Sequence, residues 1–412
     1  MKVKIFYLLF FIFQSLNAQQ KFALSTQEKD YITKFIYPLK TFNSEEIEND
    51  DLKILEKLVG KSKIIGLGEA THGSSEVYQM KYRISKYLIK NENFNLFSLE
   101  ANMPESFVMN KYIIDKVADP KTILKHMYFW LWQTEETLNF VNWLKEYNDQ
   151  NIPKIKFDGF DMQYTHGAIR QIKEVFQENN ISTDEINELN KILKEENKGT
   201  RKYSKKGQEK IQIVLEKLKH KEISFKNEDE KKRYLQNVRI IEQKIQTGSS
   251  TERDKFMAEN IKWLMKNNQD SKIIVSAHNY HVSKLDKSKM GYWLHKDYLD
   301  DYKNIGFAFY EGVYSASIDQ KIGTYNSQTA YPGTLEYYLN SLNIPIFILD
   351  LKAIKNDNNN LGKWILKEIP FRKTGSGTDK NEFKKTKVAD SFDYLIFINK
   401  SFNSKLLNHY SK

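Results

Sequence analysis

Gly68-Glu69-Ala70-Thr71-His72-Gly73 follows directly on the apolar run Ile64-Ile65-Gly66-Leu67, so a carboxylate and an imidazole stand at the mouth of what reads as a buried strand. The arrangement recurs. Phe94-Asn95-Leu96-Phe97-Ser98-Leu99 ends in Glu100, and Lys272-Ile273-Ile274-Val275-Ser276-Ala277 ends in His278, with His281 three residues on. An imidazole titrates near neutral pH, and a neighbouring carboxylate orients it and stabilises its protonated form, as a general base requires. His72 is the candidate base, with Glu69 or Glu100 as that carboxylate. Set against this is a polar loop whose glutamate merely caps the next helix.

His278 and His281 share the i, i+3 spacing of many metal sites, and Glu69 or Glu100 would complete a His/Glu set for zinc. Without a metal, one of the pair is placed to donate to a carbonyl oxygen and stabilise the developing oxyanion. The plainer role for His281 is to satisfy loop backbone. Asp161 is a further candidate for the same edge, although Gly159-Phe160-Asp161 also fits ordinary turn chemistry. Lys81 and Arg83 border the two sides of the apolar face of the helix after His72, and either offers a cation to an oxyanion or snorkels into solvent. The run Tyr128-Phe129-Trp130-Leu131-Trp132 supplies either a wall for an apolar substrate or core packing. No Gly-x-Ser-x-Gly elbow, P-loop or dinucleotide fingerprint occurs. What remains, imidazoles beside carboxylates, suits the activation of water.

For these groups to meet, the strands must lie parallel in one sheet, because open α/β sheets bind ligands at the carboxyl ends of their strands. The expected fold class is α/β, with a mostly parallel central sheet flanked by helices and a helical insertion. Strands are predicted near 63–67, 94–99, 154–157, 272–277, 305–309, 344–349 and 394–398, with about 27–58 helical. Ser74 or Ser75 offers an N-cap, and Val77, Met80, Ile84 and Leu88 carry helical spacing, so this helix joins the first two strands in a βαβ unit. From about 169 to 265 there is almost no β signal, and Gly199-Thr200 and Gly248-Ser249-Ser250 break the run. The expected organisation is a leader at 1–18, a catalytic core in two parts, 19–168 and 266–412, and the helical insertion 169–265.

The leader is read from Met1-Lys2-Val3-Lys4, the apolar stretch Ile5 to Phe13, and Gln14-Ser15-Leu16-Asn17-Ala18, the three regions of a secretory signal. The stretch is shorter than the roughly 20 residues that span a bilayer. The mature chain is therefore expected to be secreted or periplasmic, without stable membrane association. The absence of cysteine excludes a thiol nucleophile and disulfides. Net charge is +11, but lysines alternate with glutamates along 194–232 as on solvated helix faces, and no nucleic-acid motif accompanies them. The excess is not read as a nucleic-acid site.

As an ordered set, several segments resemble the erythromycin esterase family from about residue 50 to the C-terminus. They are Gly68 to Gly73, Lys81, Glu100, Trp130-Leu131-Trp132 with Glu136, Gly159-Phe160-Asp161, Arg253-Asp254 with Met257-Ala258-Glu259-Asn260 and Trp263-Leu264, and Ala277-His278-Asn279-Tyr280-His281-Val282. The resemblance implies hydrolysis of the lactone ester of erythromycin-type macrolides, and hence macrolide resistance, with a small-molecule substrate as partner. It implies His72 as base supported by Glu100, with Glu69 and His278 also in the catalytic group. Lys81, His281 and Asp161 are the candidates for substrate contact. No cofactor is expected, zinc or another divalent metal being the alternative to a metal-independent water mechanism. The family often has arginine where this chain has Lys81, and lysine keeps the charge but loses the fork geometry. The competing readings are another ester substrate or a non-catalytic ligand-binding protein of the exported compartment.

N-terminal sequencing of the protein recovered from its host should start at or near Gln19; an intact Met1 terminus in the cytoplasm would refute the leader.

Overall fold

Apolar runs that end in polar turns become the strands of the molecule, a computed structural model that describes residues 23–115, 117–196, 202–319, 321–357 and 359–407. The expected leader and the break at Gly199-Thr200 lie outside the described residues. The strands are β1 (Ile36–Pro38), β2 (Ile64–Leu67), β3 (Leu96–Asn102), β4 (Lys156–Asp161), β5 (Ile273–Ser276), β6 (Tyr302–Ile318), β7 (Lys321–Asn326), β8 (Ile346–Asp350), β9 (Ile369–Arg372), β10 (Phe383–Thr386) and β11 (Tyr394–Ser401). The main sheet runs β1-β8-β11-β6-β2-β5-β3-β4, with β7 folded back on the far end of β6, and β9 and β10 pair separately. From β11 across to β4 every neighbouring pair is parallel; β8 and β1 close the other edge antiparallel. The fold is thus α/β with a mostly parallel sheet. β2 and β5 are buried along their whole length, as strands covered on both faces must be.

β5 lies between β2 and β3, so the βαβ unit read from the sequence carries a gap that a strand from far down the chain fills. Register fixes the outcome. Leu67 pairs with Ser276, and Ser276 with Leu99, so the three runs end level and the polar residues after them emerge side by side.

Helices cover both faces. The Ser75–Asn91 helix starts at Ser74, whose hydroxyl accepts from the Val77 amide at 3.4 Å, and it buries Val77, Met80, Ile84 and Leu88 against the sheet. Trp132 and the Glu135–Gln150 helix extend that core through Phe140, stacked on Tyr82 at 4.4 Å. The opposite face is covered by the helices His166–Glu178, Asp184–Glu196, Lys205–Lys219, Glu228–Gln246 and Ser250–Asn267. Their apolar stripes (Ile172, Phe176, Leu189, Leu215, Ile241, Ile261) share one cluster with Ile273 and Val275 of β5. These helices are therefore continuous with the sheet's own core.

Two expectations change here. The region about 27–58, read as helical, contains β1, a three-residue edge strand too short to leave an alternating signal. Arg83, read as a possible cation for an oxyanion, points away from the sheet edge. Its five N–H groups go to Asn49 Oδ1, the Thr41 and Glu48 carbonyls and both oxygens of Asp51, which ties down the irregular segment before the Ile54–Val59 helix.

Gly73 shows how tightly the strand end is held. Its carbonyl accepts from the amides of Ser315 and Ser404, each at 2.9 Å, and a Cβ at this position would overlap the Ser315 backbone. Gly73→Ala is expected to cost about 2 kcal/mol of stability, since backbone cannot retreat as a flexible side chain would. Calorimetry should show a lowered melting temperature; an unchanged melt would contradict this packing.

Candidate active site

A cleft of about 570 Å³ opens where β2, β5 and β3 end. Its lining combines His72, Glu100, His278, His281 and Arg253 with the aromatic segment Phe129 to Leu131, and with Tyr280 and the Lys373–Ser376 segment. The aromatic run thus divides: Trp132 is fully buried core, and the residues just before it form a wall.

His72 Nδ1 lies 2.5 Å from Glu69 Oε1, and Lys81 Nζ contacts the other Glu69 oxygen. Burial alone would raise the Glu69 pKa, but the Lys81 ammonium and His72 overcome it and hold the carboxyl at about 2. An ionised Glu69 accepts the Nδ1 proton, which leaves Nε2 with its lone pair. Nε2 bonds to no described residue, and the side chain is 12% exposed to the cleft. Glu69, and not Glu100, is the carboxylate in contact with His72. Lys81, a candidate for substrate contact, is fully buried behind Glu69 and acts on the site through it.

His278 is locked. Its Nε2 lies 2.7 Å from the Thr374 carbonyl, which only accepts, and its Nδ1 takes the Tyr280 amide at 3.1 Å. The ring is therefore the neutral Nε2–H tautomer. Burial and the adjacent His72, whose ring centroid is 5.0 Å away, push His278 down to about 4. With both nitrogens on backbone, it shapes the floor and has no free proton donor to offer a substrate.

His281 is the opposite case. Burial disfavours its charge, yet Glu100 and Asp254 on either side raise it to about 10. Nδ1 meets the Asp254 carboxylate at 2.9 Å and Nε2 meets Glu100 Oε1 at 3.1 Å, so both protons are in use. Glu100 also accepts the His278 amide at 2.9 Å and Arg253 Nη2 at 2.9 Å. Against burial, which would raise it, His281 and Arg253 hold Glu100 well below the usual carboxylate range. Arg253 donates Nε and Nη2 to Asp161 at 3.1 and 2.7 Å, which places Asp161 beneath the floor. Arg253 Nη1 lies 3.3 Å from His281 Nε2, and the guanidinium also lines the cleft.

A zinc site does not fit these donors. The nitrogens of His278 face backbone, those of His281 face carboxylates, and among the described residues no group of three or more His, Asp or Glu is arranged to hold a metal. A second cavity, about 470 Å³, lies beside the amino ends of β3 and β4; there Arg233 is paired with Asp158 at 2.6 Å and no imidazole faces it.

Arg253 and Asp254 open the Ser250–Asn267 helix that leads into β5. An adjacent cation and anion at the start of that helix was the available signal. Lys373, Thr374, Gly375 and Ser376 gave none, since they reach the cleft from the β9–β10 ribbon by tertiary folding alone.

Three comparisons bear on the arrangement. The Erythromycin esterase family model matches residues 89–401. The YbfO protein of Bacillus subtilis (strain 168) is 26% identical over 397 residues, covering 84% of this chain and 86% of its own. Erythromycin esterase type II of Escherichia coli is 26% identical over 322 residues, covering 66% of this chain and 76% of its own. In solved structures, a mutant of the erythromycin esterase EreC in its open conformation superposes with a TM-score of 0.68 at 17% identity, over 89% of this chain and 98% of that one.

The two site histidines set a pH optimum for stability. Above the ordinary value of 6.5, unfolded His281 loses its proton while the folded form keeps it to about 10, so stability falls as pH rises through that window. Below 6.5, unfolded His278 takes up a proton that the folded form refuses until about 4, so stability falls as pH drops. Each slope approaches about 1.4 kcal/mol per pH unit. Urea-unfolding stabilities should peak near neutral pH, and His281→Gln should flatten the alkaline limb; an unaltered limb in that variant would refute the imidazolium.

Proposed function

The chain belongs to the erythromycin esterase family, and we propose that it is an exported hydrolase in which His72 activates water against a carboxylic ester. The observation that carries this reading is an imidazole with one nitrogen on an ionised carboxylate and the other open to a cleft. In the step so proposed, His72 Nε2 takes a proton from water as its oxygen bonds to the ester carbonyl carbon. The carbonyl oxygen becomes an oxyanion beside the Arg253 guanidinium. The acyl carbon–oxygen bond then breaks, and the leaving alkoxide takes the proton back from His72, giving an acid and an alcohol.

Around His72, Lys81 pairs with Glu69, Arg253 with Glu100 and Asp161, and His281 with Glu100 and Asp254. No step calls on a metal, and activity should survive exhaustive chelation. Loss with chelator and recovery with zinc would overturn that part of the proposal.

The ring ester of an erythromycin-type macrolide is the first substrate to test, because a relative bears that name. A second reading, a different ester, is favoured by one observation. Lys373 lines the cleft, and erythromycin-type macrolides carry an amine that is itself cationic at neutral pH.

Mass spectrometry of erythromycin incubated with the protein decides between the two substrates: a gain of one water supports the macrolide, and an unchanged mass supports a different ester. His72→Ala is expected to lower kcat by at least about 10²-fold, the usual contribution of a general base. Near wild-type turnover in a well-folded variant would end this mechanism.

A further inference from the structure

Lys373 is a half-buried lysine on the cleft wall that forms no side-chain hydrogen bond or ion pair among the described residues. Other sequestered lysines are partnered: Lys81 by Glu69, Lys145 by Asp149 and Lys284 by Asp393. Among the groups that act on Lys373, Lys289 comes first, and Tyr280 and Asp286 work against it. Burial and then Lys289 lower its pKa, and Lys289 is itself buried, with its Nζ 3.6 Å above the ring of Tyr280. The carboxylate that acts on the pair, Asp286, is engaged by the Ser288 amide at 2.8 Å and stands 4.0 Å from Lys289 Nζ. Lys373 therefore lines the cleft as a partly desolvated cation with no carboxylate among the described residues bonded to it, whereas Lys289 is paired with Asp286 and donates to Ser288 Oγ at 2.6 Å.

The next residues add donors. Gly375 and Ser376 line the same cleft, and their amides donate to no acceptor among the described residues, although the Gly375 and Ser376 carbonyls accept from His72 and Ser317. A Cβ on Gly375 would meet nothing within 4 Å, so the loop leaves open space above its backbone. Uncommitted amides beside a lysine are the ingredients of an anion cradle.

Resting on the hydrolase reading above, we propose that the Lys373–Ser376 wall is a subsite for an anionic group, a carboxylate or a phosphate, carried by the same molecule as the scissile ester. Phe129 and Trp130, which line the same cleft, then take the apolar part of that molecule. This sets the chain apart from an esterase for cationic macrolides: the preferred substrate is an amphipathic ester with a negative charge on the side facing Lys373.

Two aryl esters of equal length test this, neutral p-nitrophenyl valerate and anionic mono-p-nitrophenyl glutarate. The wild-type protein should prefer the anionic ester in kcat/KM, mainly through KM. Lys373→Ala should reduce the anionic-to-neutral ratio about tenfold, and Lys373→Glu should invert it. Taking the ratio cancels any general loss of activity. Inorganic phosphate and acetate as competitors distinguish the sources: stronger inhibition by phosphate assigns a phosphate group, and the reverse a carboxylate. Calorimetric binding of the mono-p-nitroanilide of glutaric acid reads the subsite without ester turnover. Binding that Lys373→Ala abolishes, with no ester hydrolysed, would keep the subsite and sink the esterase. Hydrolysis with a ratio unmoved by Lys373→Ala, or no binding of the anilide to wild type, would overturn the subsite.

Discussion

The Glu100 carboxylate joins more of this molecule than any sequence neighbour of it. Near the end of β3 it accepts from the His278 backbone just after β5, from Arg253 on the helix that precedes β5, and from the His281 imidazolium three residues on. A buried charge is tolerated only when it is paired and its lone pairs are used, and here three donors do so. Through Arg253 the same charge reaches Asp161 at the end of β4. The ends of three strands and the start of one helix are thus fixed relative to one another by a single carboxylate. With its lone pairs committed to these three donors, Glu100 is a positioning residue for the cleft, while Glu69 contacts His72.

That division follows from how each histidine spends its nitrogens. His278 gives both to backbone and is neutral; His281 gives both to carboxylates and is charged; His72 gives one to Glu69 and keeps the other. Three imidazoles in one cleft therefore do three jobs, and residue type alone does not separate them. The neutral ring is placed next to His72, which limits the repulsion that a proton on His72 would meet. The charged ring is insulated by Asp254 and Glu100.

Much of this was legible in the chain. The seven strands read from apolar runs are all present, and the residues after four of them do converge, because period and burial are local properties of a sequence. Strand order was not legible. That β5 enters between β2 and β3 depends on pairing between segments separated by the whole helical insertion, and nothing near Ile273 records it. The site shows the same limit. His72 and Glu69 stand close in sequence and were read together, whereas Arg253 and the Lys373–Ser376 wall arrive from other elements. Lys81 and Arg83 were misplaced for a simpler reason. A helical wheel gives the face on which a side chain lies, but not the partner that draws it, and both cations found carboxylates before they found the cleft.

Lys81 also bears on the departure from arginine noted in the sequence. Glu69 has two oxygens with different tasks: Oε1 orients His72, and Oε2 needs only a counter-charge to remain ionised in the core. A lysine supplies a point charge to one oxygen. A guanidinium fork presented edge-on to the same carboxylate would match both oxygens and compete with His72 for Oε1. In this geometry the loss of the fork is therefore no loss to the base. The cation that does need a fork is Arg253, which must hold Asp161 and Glu100 together. Lysine and arginine thus occupy the positions that their hydrogen-bonding geometry suits, one as a counter-ion behind Glu69 and the other as a bridge between Glu100 and Asp161.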